Sequence, residues 1–138
     1  MCLAVFLASS SWLPPVPFIE GTSFFHASEL TEQEHEVRSH LGNPNVVYVG
    51  AFTGCGCGLH PESEDLTGPY EERAERSLSE LADYIGQHVN EEAAAEIYVS
   101  WENEWHLPPL RRLELKASEL AGRVDWLEVR THVALVAS

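Results

Sequence analysis

The chain has 138 residues and a formal net charge of −14, from 22 acidic and 8 basic side chains. That length suits one domain built on one core, and an apolar share of 44% excludes intrinsic disorder. The charge excludes nucleic acid and anionic membranes as partners, because both require Lys and Arg for neutralisation, and it leaves basic proteins, cationic small molecules and metal ions.

Cys2 to Ala8 is short and apolar and is followed by three serines, which predicts a buried strand. No Lys or Arg precedes this run, so it does not read as a signal peptide. Trp12-Leu13-Pro14-Pro15-Val16-Pro17 carries three prolines in four residues and must be an extended loop. Phe24 to Ala27 suits a short strand. Thr31 to Leu41 predicts a surface helix, with Thr31 and Glu34 spaced as a capping box and Gly42 and Pro44 as the stop.

Val46 to Phe52 is β-branched and aromatic, which predicts a buried central strand. Gly54-Cys55-Gly56-Cys57-Gly58 follows directly, and His60 to Gly68 reads as a polar loop that includes Glu62-Ser63-Glu64-Asp65. From Pro69 to Val89, Tyr70, Ala74, Leu78, Leu81, Ala82, Ile85 and Val89 recur at helical spacing and make one apolar stripe. Glu96 to Leu107 alternates, with Ile97, Val99, Trp101 and Trp105 on one parity, which predicts a strand with one buried face. Leu113 and Leu115 mark another strand, and Leu127 to Leu135 a longer final one. No stretch approaches the roughly 18 apolar residues of a membrane span.

This order predicts a single α/β or α+β domain over residues 1–138, with a single mixed β-sheet of about five strands and two main helices. A thioredoxin-like arrangement is one option. Strand–helix–strand units predict partly parallel pairing, and the terminal run of strands can pair antiparallel.

The glycine–cysteine alternation is the segment most suited to chemistry, and three readings of it stand side by side. The first is a soft-metal site for zinc or copper, with Cys55, Cys57 and His60 as ligands and Cys2 or His106 as the fourth. The second is thiol–disulfide exchange through a Cys-x-Cys pair, although no Lys or Arg lies near in sequence to lower a thiol pKa. The third is a tight turn beside two small buried hydrophobes, in an acidic module that binds a basic protein. Glu102, Glu104 and His106 would share one face of the predicted strand, as metal ligands or as a charged edge. Glu32-x-x-His35 matches half of a di-iron motif whose second copy is missing. There is no P-loop, no G-x-G-x-x-G after a strand, no G-x-S-x-G and no H-E-x-x-H. Three cysteines are too few and too odd in number for a disulfide scaffold and predict a reducing, cytoplasmic setting.

The opening MCLAVFLAS together with VVYVGAFTGCGCGL resembles a small group of uncharacterised bacterial proteins. The resemblance implies a bacterial cytoplasmic protein and transfers no functional residue.

Overall fold

The computed structural model describes residues 2–60, 68–90 and 93–136. The acidic stretch Glu62 to Asp65 lies outside the described residues.

Among the described residues, six strands form one mixed sheet: β1 (Leu3–Ser9), β2 (Phe25–Glu29), β3 (Asn45–Ala51), β4 (Ala95–Trp101), β5 (Arg111–Lys116) and β6 (Thr131–Val136). Their order is β2-β3-β1-β4-β6-β5. The count exceeds five because the short segment near Phe24 forms a full edge strand against β3. With the helix α1 (Gly68–His88) and a 3-10 helix over Gln33–His40, this is an α+β architecture.

All seven residues of β1 are buried, so the strand must be covered on both faces. Leu3, Val5 and Leu7 point to the α1 side, where they meet Leu78, Leu81 and Ile85 from the predicted helical stripe. Ala4, Phe6 and Ala8 point the other way, onto Val37 of the 3-10 helix, Tyr48, Tyr98 and Trp105. Burial of each large apolar side chain contributes roughly 1.5–3 kcal/mol, and β1 places such residues on alternating faces.

The mixed pairing is as expected, but its parallel neighbours are not the strands joined by α1. β3, α1 and β4 do make a crossover, but β1 sits between β3 and β4 and pairs antiparallel with both. This is a split βαβ unit. The terminal run pairs antiparallel at β4–β6, as expected, and the parallel pair is β5–β6 in the same run. Parallel neighbours need a crossover of a dozen or more residues, and residues 117–130 supply it, with Trp126 fully buried at its centre. The Trp126 Nε1–H donates to the Leu120 carbonyl at 3.1 Å and to the Arg123 carbonyl at 2.8 Å.

Two predicted strands are shorter than their alternation suggests. β4 ends at Trp101, because Asn103 takes φ 70° and turns the chain. Trp105 therefore packs against Phe6 on the opposite face from Ile97 and Val99. The final strand starts only at Thr131, after Arg130 at φ 64°. The capping box forms as predicted: the Thr31 N–H donates to Glu34 Oε1 at 2.8 Å, and the Glu34 N–H donates to Thr31 Oγ1 at 3.3 Å. The helix it opens is 3-10 rather than α, with Val37 as its one buried residue. One buried side chain in eight residues gives little packing to impose α geometry.

Glu96 is the buried charge of this framework, 7% exposed on β4. Its carboxylate accepts from the Gly42 N–H at 3.0 Å, the Asn43 N–H at 3.1 Å, the Asn43 side-chain amide and His132 Nε2 at 2.8 Å. These bonds tie β4 and β6 to the end of the 3-10 helix. Burial alone would raise the Glu96 pKa, but the donors from His132, Gly42 and Asn43 outweigh it and hold the carboxyl below its ordinary value. The folded state thus binds fewer protons than the unfolded one in this range. The stabilisation is complete above the unfolded value, about pH 4.3, and is lost as pH falls through the lower folded value. Glu96→Ala should cost about 3 kcal/mol, because it strips the partner from buried donors. Glu96→Gln should cost less and should flatten the pH dependence. Urea denaturation between pH 3 and pH 7 checks both outcomes.

Candidate metal centre

Two residues further along each strand, the register that pairs Val5 with Val49 would pair Leu3 with Ala51. The ladder opens at that rung instead. The Ala51 N–H donates to the Cys55 carbonyl at 3.0 Å and the Gly54 N–H to the Ala51 carbonyl at 2.9 Å, so β3 folds back into a tight turn. The Leu3 N–H, left without its strand partner, donates to Cys57 Sγ at 3.1 Å. A short 3-10 turn over Gly56–Leu59 follows, anchored by Leu59, which is fully buried.

Cys2 immediately precedes β1, and its carbonyl accepts from the Glu102 N–H at 2.9 Å. The start of the central strand thus meets the turn after β3. The sulfur atoms of Cys2, Cys55 and Cys57 all lie within 4.8 Å of one another. Among the described residues, this is the group of His, Cys, Asp and Glu atoms close enough to hold an ion.

The glycines are required by the backbone. Gly54 has φ +84°, a conformation that side chains disfavour. A Cβ at Gly56 would stand 2.8 Å from the Leu3 carbonyl oxygen and 2.8 Å from Val5 Cγ2, so only glycine lets the turn lie against β1. The Thr53 hydroxyl donates to the Cys55 carbonyl at 3.1 Å and accepts from the Gly58 N–H at 3.1 Å. From α1, the Tyr70 hydroxyl donates to the Cys57 carbonyl at 3.2 Å. From β2, His26 Nε2 lies 3.0 Å from the Gly54 carbonyl oxygen. His26 and Thr53 were not legible as site residues, because neither belongs to a metal or catalytic spacing.

Two of the three thiols, Cys57 and Cys2, are held in their protonated form. Burial pushes Cys57 up to about 11, helped by the neighbouring Cys55 and Cys2 and opposed by the Leu3 N–H. The Cys55 side chain raises Cys2, and burial and the Glu102 carboxylate add to the effect. A reactive thiol needs a lowered pKa and basic neighbours, and this site has the opposite character. Its electrostatics suit a cation, which removes the repulsion among thiolates and replaces their protons.

The other predicted ligands are placed as follows. His60 ends the 3-10 turn, with its N–H on the Cys57 carbonyl at 3.2 Å, and its ring is not a member of the three-sulfur group. His106 lies in the turn after β4, its carbonyl accepting from His40 Nε2 at 3.0 Å, and is not brought to the thiols. Glu102, Glu104 and His106 do not share a strand face, since β4 has already ended. On the 3-10 helix, His35 accepts from Arg38 Nε at 2.9 Å and forms no metal group with Glu32. The site lies where β1 begins and where β3 and β4 end. These strands are antiparallel, so the rule that ligands gather at the carboxyl ends of parallel strands does not apply. No helix among the described residues is long and apolar enough to cross a membrane.

Comparison with protein-family models, curated proteins and solved structures gave no match.

Steric fit around the turn can be tested by pairing two substitutions. Gly56→Ala should destabilise the protein by about 1–3 kcal/mol, as overpacking against a fixed carbonyl does. Gly86→Ala is its control. Gly86 lies in α1 with nothing within 4 Å of a new Cβ. That change should stabilise by about 0.5–1 kcal/mol through helix propensity. Opposite shifts in the urea midpoint are the expected outcome.

Proposed function

We propose that the protein binds a soft cation, zinc(II) or copper(I), through the thiolates of Cys2, Cys55 and Cys57, with His60 as the candidate fourth ligand. The observation that carries this reading is the convergence of three sulfur atoms to within 4.8 Å from two segments more than fifty residues apart. Sulfur atoms about 2.3 Å from a tetrahedral zinc stand about 3.8 Å from one another. The cluster therefore needs to contract by about 1 Å at most to coordinate an ion. Thiolate ligands select these metals over hard cations such as magnesium or calcium.

The raised Cys57 supports metal binding over redox exchange. A thiol at about 11 is a poor nucleophile at neutral pH, whereas a metal ion displaces its proton. The net charge of −14 also favours cation capture over anion binding. An ion held here joins the start of β1 to the turn after β3 and so stabilises the fold by mass action, about 2.7 kcal/mol at a hundredfold excess over Kd.

Protein purified without oxygen should carry, or take up, about one zinc or copper ion per chain. Cys2→Ser, Cys55→Ser and Cys57→Ser should each lower the metal content measured by elemental analysis. Added metal should raise the melting temperature of the parent and not of the triple variant. Affinity should fall as pH is lowered, because binding releases thiol protons. A parent protein that neither carries nor takes up these metals overturns the proposal.

A further inference from the structure

His26 is 7% exposed, on the face of the sheet opposite α1, and its ring lies between Phe18 (centroids 5.1 Å apart) and Tyr48 (6.0 Å). Its strand partner across the ladder is Gly50. A Cβ at Gly50 would stand 2.1 Å from His26 Nε2, so the imidazole lies flat against β3 in space that any other residue would fill. The ring then reaches past the end of the strand to the Gly54 carbonyl, 3.0 Å away. A carbonyl oxygen only accepts, so Nε2 carries the proton and donates.

The peptide from Gly54 to Cys55 is a rigid plane. Holding its oxygen restrains the Cys55 nitrogen and Cα, and the direction of the Cys55 side chain is then set by where the following peptide is held. Gly54 sits at φ +84°, where the backbone needs outside support. The Thr53 hydroxyl holds the next carbonyl, that of Cys55. The peptides on both sides of Cys55 are therefore anchored, one from β2 and one from within the turn.

Resting on the metal-binding reading above, we propose that His26 is a positioning residue of the thiol site, acting through the Gly54 carbonyl to aim Cys55 at the ion, with Gly50 as the slot that admits its ring. Partners of this kind govern affinity by restricting the orientation of a ligand.

The test uses cobalt(II) as a spectroscopic probe under anaerobic conditions, titrated into the parent, His26→Phe and His26→Gln. Phenylalanine keeps the ring and removes the donor, whereas glutamine keeps a donor at comparable reach. H26F should bind cobalt about 10- to 100-fold more weakly, with shifted thiolate charge-transfer and d–d bands, and H26Q should recover most of the affinity and the parent spectrum. If far-UV circular dichroism shows that H26F does not fold, His26→Met takes its place with the same expected result. Parent-like affinity and spectrum in the donor-less variant overturn the proposal, even where the melting temperature of the metal-free protein falls, because a merely structural histidine would show that pattern. A parent that binds no cobalt overturns this proposal, and it overturns the metal reading as well only where zinc and copper(I) also fail to bind. A parent that binds it while the variants do not differ overturns this proposal alone.

Discussion

The bond from the Leu3 N–H to Cys57 Sγ is the interaction on which the site depends. A central strand buried on both faces cannot leave a backbone donor unpaired at its first residue without losing roughly the desolvation cost of that group. The regular solution would be one more rung to Ala51. The chain instead gives Ala51 to a turn that closes on itself and brings a sulfur to the vacated donor. The sulfur's position is thus set by the hydrogen-bonding needs of the sheet, and Cys2, next to Leu3, is placed beside it by the same strand. The other thiol on the turn, that of Cys55, completes a triangle because Gly56 between it and Cys57 lets the backbone lie against β1.

The sequence carried much of this at the level of segments. Val46 to Phe52 and the helical stripe after Pro69 are legible because burial imposes a period, and period survives in sequence. The capping box at Thr31 is legible because its two side chains answer local backbone donors. Pairing is less legible, since nothing in a strand's own residues names its neighbour. The insertion of β1 between β3 and β4 follows from its being apolar on both faces, a property that also fits a central parallel strand. Trp105 misled for a different reason: its parity fits β4, but one left-handed residue at Asn103 moves it to the other core.

The candidate site was legible in its local half. Two cysteines in a glycine run attract notice by themselves, and Cys2 was a reasonable fourth ligand, but its approach depends on β1 and β3 being antiparallel neighbours. His26 has no local signal at all. Its role exists only because β2 is in register with Gly50, and the one trace in the sequence is a glycine inside an otherwise β-branched strand, which signals close approach of another group.

The molecule handles its buried acids in two opposite ways. Glu96 meets two backbone N–H groups, an amide and an imidazole, and these donors bring its pKa below the ordinary range despite burial. Cys57 meets one backbone N–H, which does not offset its burial and the neighbouring thiols, so its pKa is raised. In both places a potential anion sits at the junction of the central strands with a connecting segment. At Glu96 the protein itself supplies the compensating donors, and the result is a structural pin. At the thiols the compensation offered by the described residues is small, and the acceptors are soft and converge on a point. That combination is unsuited to a permanent thiolate and suited to one that forms as a cation arrives, and the proposed ion would then couple its binding to the joining of β1 and the turn after β3.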